Sequence, residues 1–270
     1  MSFKLLALDL DGTLLRRDHT VDPRDIAAIA ELQRAGVTVT IATGRLQSGS
    51  VGAARACAIE GLIACCEGSH LVELATNTTR VRHALPDDLS TLMREVVHAH
   101  GLSPFVFDAH GIHHDDTGHP FASYVATWSP NLRVLDRATP WQAAPLAAVA
   151  IGTPEAVEAA HALLRPHADR LFAVAFPVYS HPGQHAILVR AAGPTKGTAL
   201  AQLCEAAGCT LADAVVVGDW LNDVPMFRAA GRSFAMGGVP ASVADHATDQ
   251  LVAPSGDGGG VAETIRRAWG

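Results

Sequence analysis

The chain alternates short, unbroken apolar runs with stretches of helical periodicity. Phe3 to Leu8 is apolar almost throughout and too short for a helix, the pattern of a strand buried on both faces of a parallel sheet. Asp22-Pro23 then opens a helix to about Ala35: proline stands in its first turn, apolar residues recur at Ile26, Ile29 and Leu32, and Gly36 ends it. Val37 to Ala42 predicts a second strand, Leu46 to Ala58 a helix, and Leu62 to Cys66 a third strand. This alternation predicts an open, mostly parallel, Rossmann-like sheet with right-handed crossovers.

The rhythm changes near Val81. Pro86 to His100 reads as a helix, and Pro104 to Phe107 with Ile112 to Asp115 as a hairpin around Gly111. Leu146 to Ile151, a helix from Pro154 to His167, and Leu171 to Phe176 read as a further β-α-β passage, followed by a strand from His185 to Arg190. The first rhythm then returns. It gives a helix from Gly197 to Ala207, a very apolar strand from Ala214 to Val217, a short helix from Pro225 to Ala230, a strand from Ser233 to Met236 and a closing helix from Val261 to Trp269. The expected fold class is therefore α/β. Residues 1–82 and 191–270 form the core, and residues 83–190 form an inserted α/β domain.

Composition narrows the function. Hydrophobic residues make up 49% of the 270 and charged residues 17%, which supports a buried core and excludes global disorder. No apolar run reaches the roughly 18 residues of a membrane span. The first residues show no basic segment followed by a long apolar run, so neither a membrane partner nor a secretory leader is expected, and a cytoplasmic location is. A net charge of −7 argues against a nucleic-acid partner. It leaves a small anionic substrate open, because one metal ion and one lysine neutralise a phosphate locally. Cys57, Cys65, Cys66, Cys204 and Cys209 show no CxxC spacing and read as buried thiols rather than disulfides or metal ligands. Only two of the 20 basic residues are lysines, Lys4 and Lys196. Lysine at 196, in a chain that otherwise uses arginine, points to a place for a compact point charge.

Ligands of open parallel sheets sit beyond the carboxyl ends of the strands, and four clusters fall near that edge: Asp9-x-Asp11, Thr43-Gly44-Arg45, Lys196 and Asp219-x-x-Asn222-Asp223. Asp9 and Asp11 project the same way from an extended chain, and two such carboxylates repel unless a cation or proton lies between them. Asp219 and Asp223 add oxygen from a second strand end, and hard cations such as Mg²⁺ prefer oxygen. Either acidic pair alone reads equally as turn chemistry. Thr43 reads as a turn hydroxyl or as an anion contact at a helix start. Gly193 to Thr198 fails as a phosphate-binding Walker loop, because Thr195 rather than glycine precedes Lys196. Trp220, bulky within the acidic motif, reads either as core packing, which is favoured, or as a residue that shapes the site. The histidines His98, His100, His110, His113, His114 and His119 match no zinc spacing and read as solvated or substrate-facing groups.

These motifs together resemble the haloacid dehalogenase superfamily of aspartate-nucleophile phosphatases, and within it the Cof-type sugar phosphatases. The resemblance rests on Asp9-Leu10-Asp11-Gly12-Thr13-Leu14, Ala42-Thr43-Gly44-Arg45, Lys196-Gly197, Gly218-Asp219-Trp220-Leu221-Asn222-Asp223 and Met226. The later stretch Met236-Gly237 to Asp257-Gly258 follows the same pattern. It implies a Mg²⁺-dependent phosphatase for small phosphorylated metabolites, sugar phosphates among them. Asp9 would be the nucleophile and Asp11 the acid and base. Asp9, Asp11, Asp219 and Asp223 would hold Mg²⁺. Thr43, Lys196, the amides of Leu10 and Gly44, and Asn222 would hold the phosphoryl oxygens, with Arg45 beside them, and the inserted domain would cap the site. A phosphomutase or phosphotransferase on the same scaffold is the alternative. A non-catalytic phosphate-binding scaffold would be expected to have lost a catalytic residue, and none is lost. The chain departs from the family pattern at Glu67-Gly68-Ser69, where Asn-Gly-Ala is usual, and at Gly237-Gly238, where Gly-Asn is.

Overall fold

The computed structural model describes residues 3–270. It divides into two compact units, one of residues 3–44, 50–81 and 195–270, the other of residues 45–49 and 82–194. The chain runs through β1 (Leu5–Leu8), α1 (Pro23–Arg34), β2 (Thr38–Ile41), α2 (Gln47–Ala56), β3 (Leu62–Cys65), β4 (His70–Glu73) and β5 (Thr78–Arg82). Next come α3 (Asp87–Ala99), β6 (Ser103–Phe107), β7 (Ile112–His114), α4 (Ala122–Val125), β8 (Leu132–Val134), β9 (Ala147–Gly152), α5 (Pro154–Leu164), β10 (Leu171–Pro177) and β11 (His185–Ala191). It then returns to the first unit with α6 (Lys196–Ala206), β12 (Ala214–Gly218), α7 (Val224–Ala229), β13 (Arg232–Gly237), α8 (Ala241–Ala244), β14 (Asp249–Pro254) and α9 (Gly260–Trp269).

The first unit is built on a parallel sheet in the order β14-β13-β12-β1-β2. Successive residues of a strand face opposite ways, and both faces here are dry. Leu6, Leu8, Val215 and Val217 meet Ile29 and Leu32 of α1, Ala53 and Ala54 of α2, and Val261 of α9. Leu5, Ala7, Ala214 and Val216 meet Leu200 and Leu203 of α6 and Phe227 of α7. Burial on both faces is why these strands read as unbroken apolar runs. Register then places the chemistry: Leu8 pairs with both Val217 and Ile41. The segments that begin at Asp9, Gly218 and Ala42 therefore leave the sheet side by side. A parallel bridge from Ala42 to Ala64 brings the end of β3 to the same edge.

The second unit carries a sheet in the order β10-β11-β9-β6-β7-β8, antiparallel except for the parallel pair β7-β8. Leu89, Met93 and Val97 of α3 and Val157 and Leu164 of α5 close its core over Val106, Ile187 and Val189. The passage β9-α5-β10 is not a neighbouring parallel pair, because β11 lies between the two strands and pairs antiparallel with each. Residues 45–49 also belong to this unit, which the sequence pattern had assigned wholly to the core: the Leu46 amide donates to the Trp128 carbonyl and Ser48 Oγ meets Ser129 Oγ at 2.7 Å. Strands β5 and β14 lack an apolar run, their residues being mostly exposed or half-buried, and periodicity did not predict them. All five cysteines are free thiols, four of them buried. No helix among the described residues is long and apolar enough to cross a membrane.

Candidate active site

Asp9 follows directly on β1. Its amide donates to Val217, which extends the β1–β12 ladder by one step and buries the residue to 4% exposure. The chain then turns sharply. Thr13 and Leu15 amides both donate to the Leu10 carbonyl, and Gly12 adopts φ +78°. A β-carbon at Gly12 would lie 2.0 Å from Asp219 Oδ2, so glycine is required both for the turn and for the approach of that carboxylate. Asp11 sits exposed on the same turn, close enough for its charge to act on Asp219.

Lys196 is the first residue of α6, behind a Thr195 cap that exchanges hydrogen bonds with Thr198. A cation is disfavoured at a helix N-terminus by the helix dipole, and this one has no exposed side-chain surface. Two carboxylates hold it: Nζ donates to Asp9 Oδ1 at 2.5 Å and to Asp223 Oδ1 at 2.7 Å. Burial works to discharge the ammonium, but attraction to Asp223, Asp9 and Glu67 outweighs it and holds its pKa well above the ordinary lysine value. The other oxygen of Asp223 accepts from the amides of Asp219 and Trp220, at 2.8 and 3.0 Å, and so shapes the loop that presents Asp219. Asp219 Oδ2 in turn accepts from Ser255 Oγ at 2.7 Å.

One oxygen each from Asp9, Asp219 and Asp223 lie within 4.8 Å of one another. Burial pushes the Asp9 carboxyl well above the usual carboxylate range, Lys196 opposes the shift, and Asp223 and Asp219 reinforce it. Burial also lifts Asp219 to about 6, opposed by the Ser255 hydrogen bond and reinforced by Asp223. A buried group of hard oxygens that needs more positive charge than one ammonium supplies fits a divalent cation. It is the only such group of His, Cys, Asp and Glu among the described residues. The histidines of the second unit form none: His113 Nε2 pairs with Asp108 at 2.6 Å and His114 Nδ1 donates to the Asp115 carbonyl.

Thr43 is buried, its amide donating to Ala64 and its carbonyl accepting from Glu67. Gly44 follows, and a β-carbon there would come within 2.5 Å of Glu67 Oε1. Asn222 Nδ2 donates to the same oxygen at 2.8 Å. Arg45 follows Gly44 in the chain and is counted with the second unit, where its guanidinium donates to the Gly49 carbonyl. Trp220 is half exposed, at 53%, and not a core residue: its amide, not its ring, is what the loop uses. Ser255 and Glu67 were not foreseen as members of this group. Ser255 lies in a loop with no motif of its own, whereas Glu67 was visible as a departure from the family pattern.

The model for haloacid dehalogenase-like hydrolases matches residues 6–265. Pyridoxal phosphate phosphatase YbhA of Escherichia coli K12 is 30% identical over 88% of this chain and 89% of its own length. An HMP-PP phosphatase of Yersinia pseudotuberculosis is 27% identical over 87% and 84%. In fold, a haloacid dehalogenase-like hydrolase from Bacteroides thetaiotaomicron superposes with a TM-score of 0.85 at 24% identity, covering 99% of this chain and 100% of its own. A subclass IIB sugar phosphatase superposes at 0.80 with 19% identity, covering 98% of each. With the family pattern running from the first strand to the last helix, this chain belongs to the haloacid dehalogenase-like hydrolases and is one of their phosphatases.

Proposed function

We propose that this phosphatase hydrolyses small phosphorylated metabolites, sugar phosphates or compounds of that size, through an aspartyl-phosphate on Asp9, with Mg²⁺ held by Asp9, Asp219 and Asp223. The observation that carries the reading is the setting of Asp9. It is a buried carboxylate at a parallel-sheet edge, gripped by Lys196 at 2.5 Å, with oxygens of Asp219 and Asp223 within 4.8 Å. Bound by these residues, Mg²⁺ would supply positive charge that stabilises the phosphoryl oxygens.

The chain's own groups account for the rest. An Asp9 oxygen attacks phosphorus and the phosphoester bond breaks, while Asp11 gives its proton to the departing oxygen. Asp11 then takes a proton from water, whose oxygen attacks the same phosphorus. The bond to Asp9 breaks, and inorganic phosphate leaves with the carboxylate restored. Lys196, the Thr43 hydroxyl and the Leu10 and Gly44 amides hold the oxygens in flight, which is most of what phosphoryl transfer asks of a protein. The relatives named for pyridoxal phosphate and HMP-PP support a small phosphorylated substrate.

The test is phosphate release from a panel of phosphorylated metabolites, with Mg²⁺ and after exhaustive chelation. Asp9→Asn is expected to abolish release with the fold intact, and trapped labelled phosphate is expected on Asp9. Full activity without divalent metal would remove Mg²⁺ from the reading, and label on another residue would remove Asp9.

A further inference from the structure

Glu67 is held in a conformation its residue type does not favour. It has φ 57° and ψ 28°, and Cys66 before it has φ 47°. Left-handed backbone is disfavoured for an ordinary L-residue and is readily adopted by glycine and asparagine. The surroundings impose it: the Glu67 amide donates to Thr43, and Gly68 is wedged where a β-carbon would lie 2.5 Å from the Thr195 carbonyl, directly before Lys196. Strain retained at one residue of a site is a reason to ask what its side chain does.

The side chain reaches into the group described above. Its Oε1 accepts from Asn222 Nδ2 at 2.8 Å and lies over Gly44, whose missing β-carbon gives it room. Its charge also acts on Lys196. A carboxylate accepts only, so Asn222 must turn its amide nitrogen to Glu67 and its oxygen elsewhere. That oxygen, Asn222 Oδ1, is buried and has no hydrogen-bond partner. Glu67 and Asn222 thus present acceptors beside the residues assigned to the phosphate. Acceptors facing an anionic phosphate are unfavourable unless the rest of the ligand brings donors.

We propose that Glu67 is a specificity residue. Its carboxylate, set by Asn222, accepts a hydrogen bond from a hydroxyl or protonated amine on the carbon skeleton next to the phosphoester, and so selects donor-bearing leaving groups over donor-free ones. The proposal rests on the phosphatase reading of the same site and adds the chemistry of the leaving group.

The test compares propyl, 2-hydroxypropyl and 2-aminopropyl phosphates, which share one skeleton, in the wild type, Glu67→Gln and Glu67→Ala, with Mg²⁺ present. The wild type is expected to favour a donor-bearing ester over propyl phosphate by at least about 10-fold in kcat/KM, the lower end of what a site built to accept a hydrogen bond gains over an analogue lacking the donor. Glu67→Ala is expected to erase that ratio, in part by gaining on propyl phosphate. Glu67→Gln keeps an acceptor and loses the charge. It separates the two donors: a ratio kept in Glu67→Gln identifies the hydroxyl, and a ratio lost identifies the ammonium. Thermal unfolding of each variant verifies the fold. The proposal is overturned if the wild type shows no preference, or if Glu67→Ala keeps it. Failure to release phosphate from any ester would instead count against the phosphatase chemistry itself.

Discussion

Replacing Lys196 separates charge from shape. The Nζ atom sits between carboxylates from two different strand ends, 2.5 Å from Asp9 and 2.7 Å from Asp223, with no exposed side-chain surface. Lys196→Met leaves both carboxylates buried without their shared cation. Losing one partner of a buried ion pair typically costs about 3–5 kcal/mol. Lys196→Arg keeps the charge, but a planar guanidinium does not fit the point the ammonium occupies, and overfilling a packed site costs about 1–3 kcal/mol. Unfolding in denaturant with chelator present is therefore expected to rank wild type above Lys196→Arg, and that above Lys196→Met. Because the pKa of Lys196 is raised in the folded protein, its contribution is complete at neutral pH and is lost only as pH rises through that raised value.

Activity is expected to follow geometry. Both variants should lose at least about 10²-fold in kcat/KM for phosphate release, the scale of losing one preorganised electrostatic contact to the transferring group. Lys4→Arg serves as the control: that side chain is 61% exposed, 3.9 Å from Asp213, and its replacement should be silent. Lys196→Arg with most of its activity intact would refute the reasoning, since charge alone would then suffice.

Two further outcomes are expected. Metal-free Asp219 titrates near 6 rather than at its ordinary 3.8, so between these values the folded state holds a proton that the unfolded chain has released, and stability contributed by this group falls as pH rises. Mg²⁺ should therefore raise Tm clearly at about pH 7.5 and much less at about pH 5, and an equal shift at both would count against Asp219 as a ligand. Gly12→Ala should abolish that Mg²⁺ response and the activity, because its β-carbon would fall 2.0 Å from Asp219 Oδ2 at φ +78°; calorimetric Mg²⁺ binding unchanged from wild type would overturn this.

The core sheet was legible because its strands are dry on both faces, which turns a parallel sheet into a series of apolar runs. The acidic edge was legible for the same reason: wherever such runs end in register, the residues after them must meet, and Asp9, Thr43 and Asp219 follow the ends of β1, β2 and β12. Edge strands with mostly exposed or half-buried residues, β5 and β14, carry no such signal. The order β10-β11-β9 was hidden as well, because a helix between two strands says that they run the same way and does not say which strand lies between them.

Hydrogen-bond partners within the site follow a different logic. That Lys196 takes Asp9 and Asp223 is foreseeable from charge and from the lack of any other compact cation near the edge. That Asn222 turns its nitrogen to Glu67 is not, because it depends on a left-handed backbone at residues 66 and 67, imposed by Thr43 on one side and the start of α6 on the other. Asp9, Thr43 and Asp219 are set by the strands they follow, whereas Glu67 is set by Thr43, the start of α6 and Asn222 at once. The family resemblance could mark position 67 as unusual, and only the tertiary contacts give that difference a direction: a fixed acceptor, beside the residues proposed to hold the phosphate, in a backbone conformation that asparagine would adopt at lower cost.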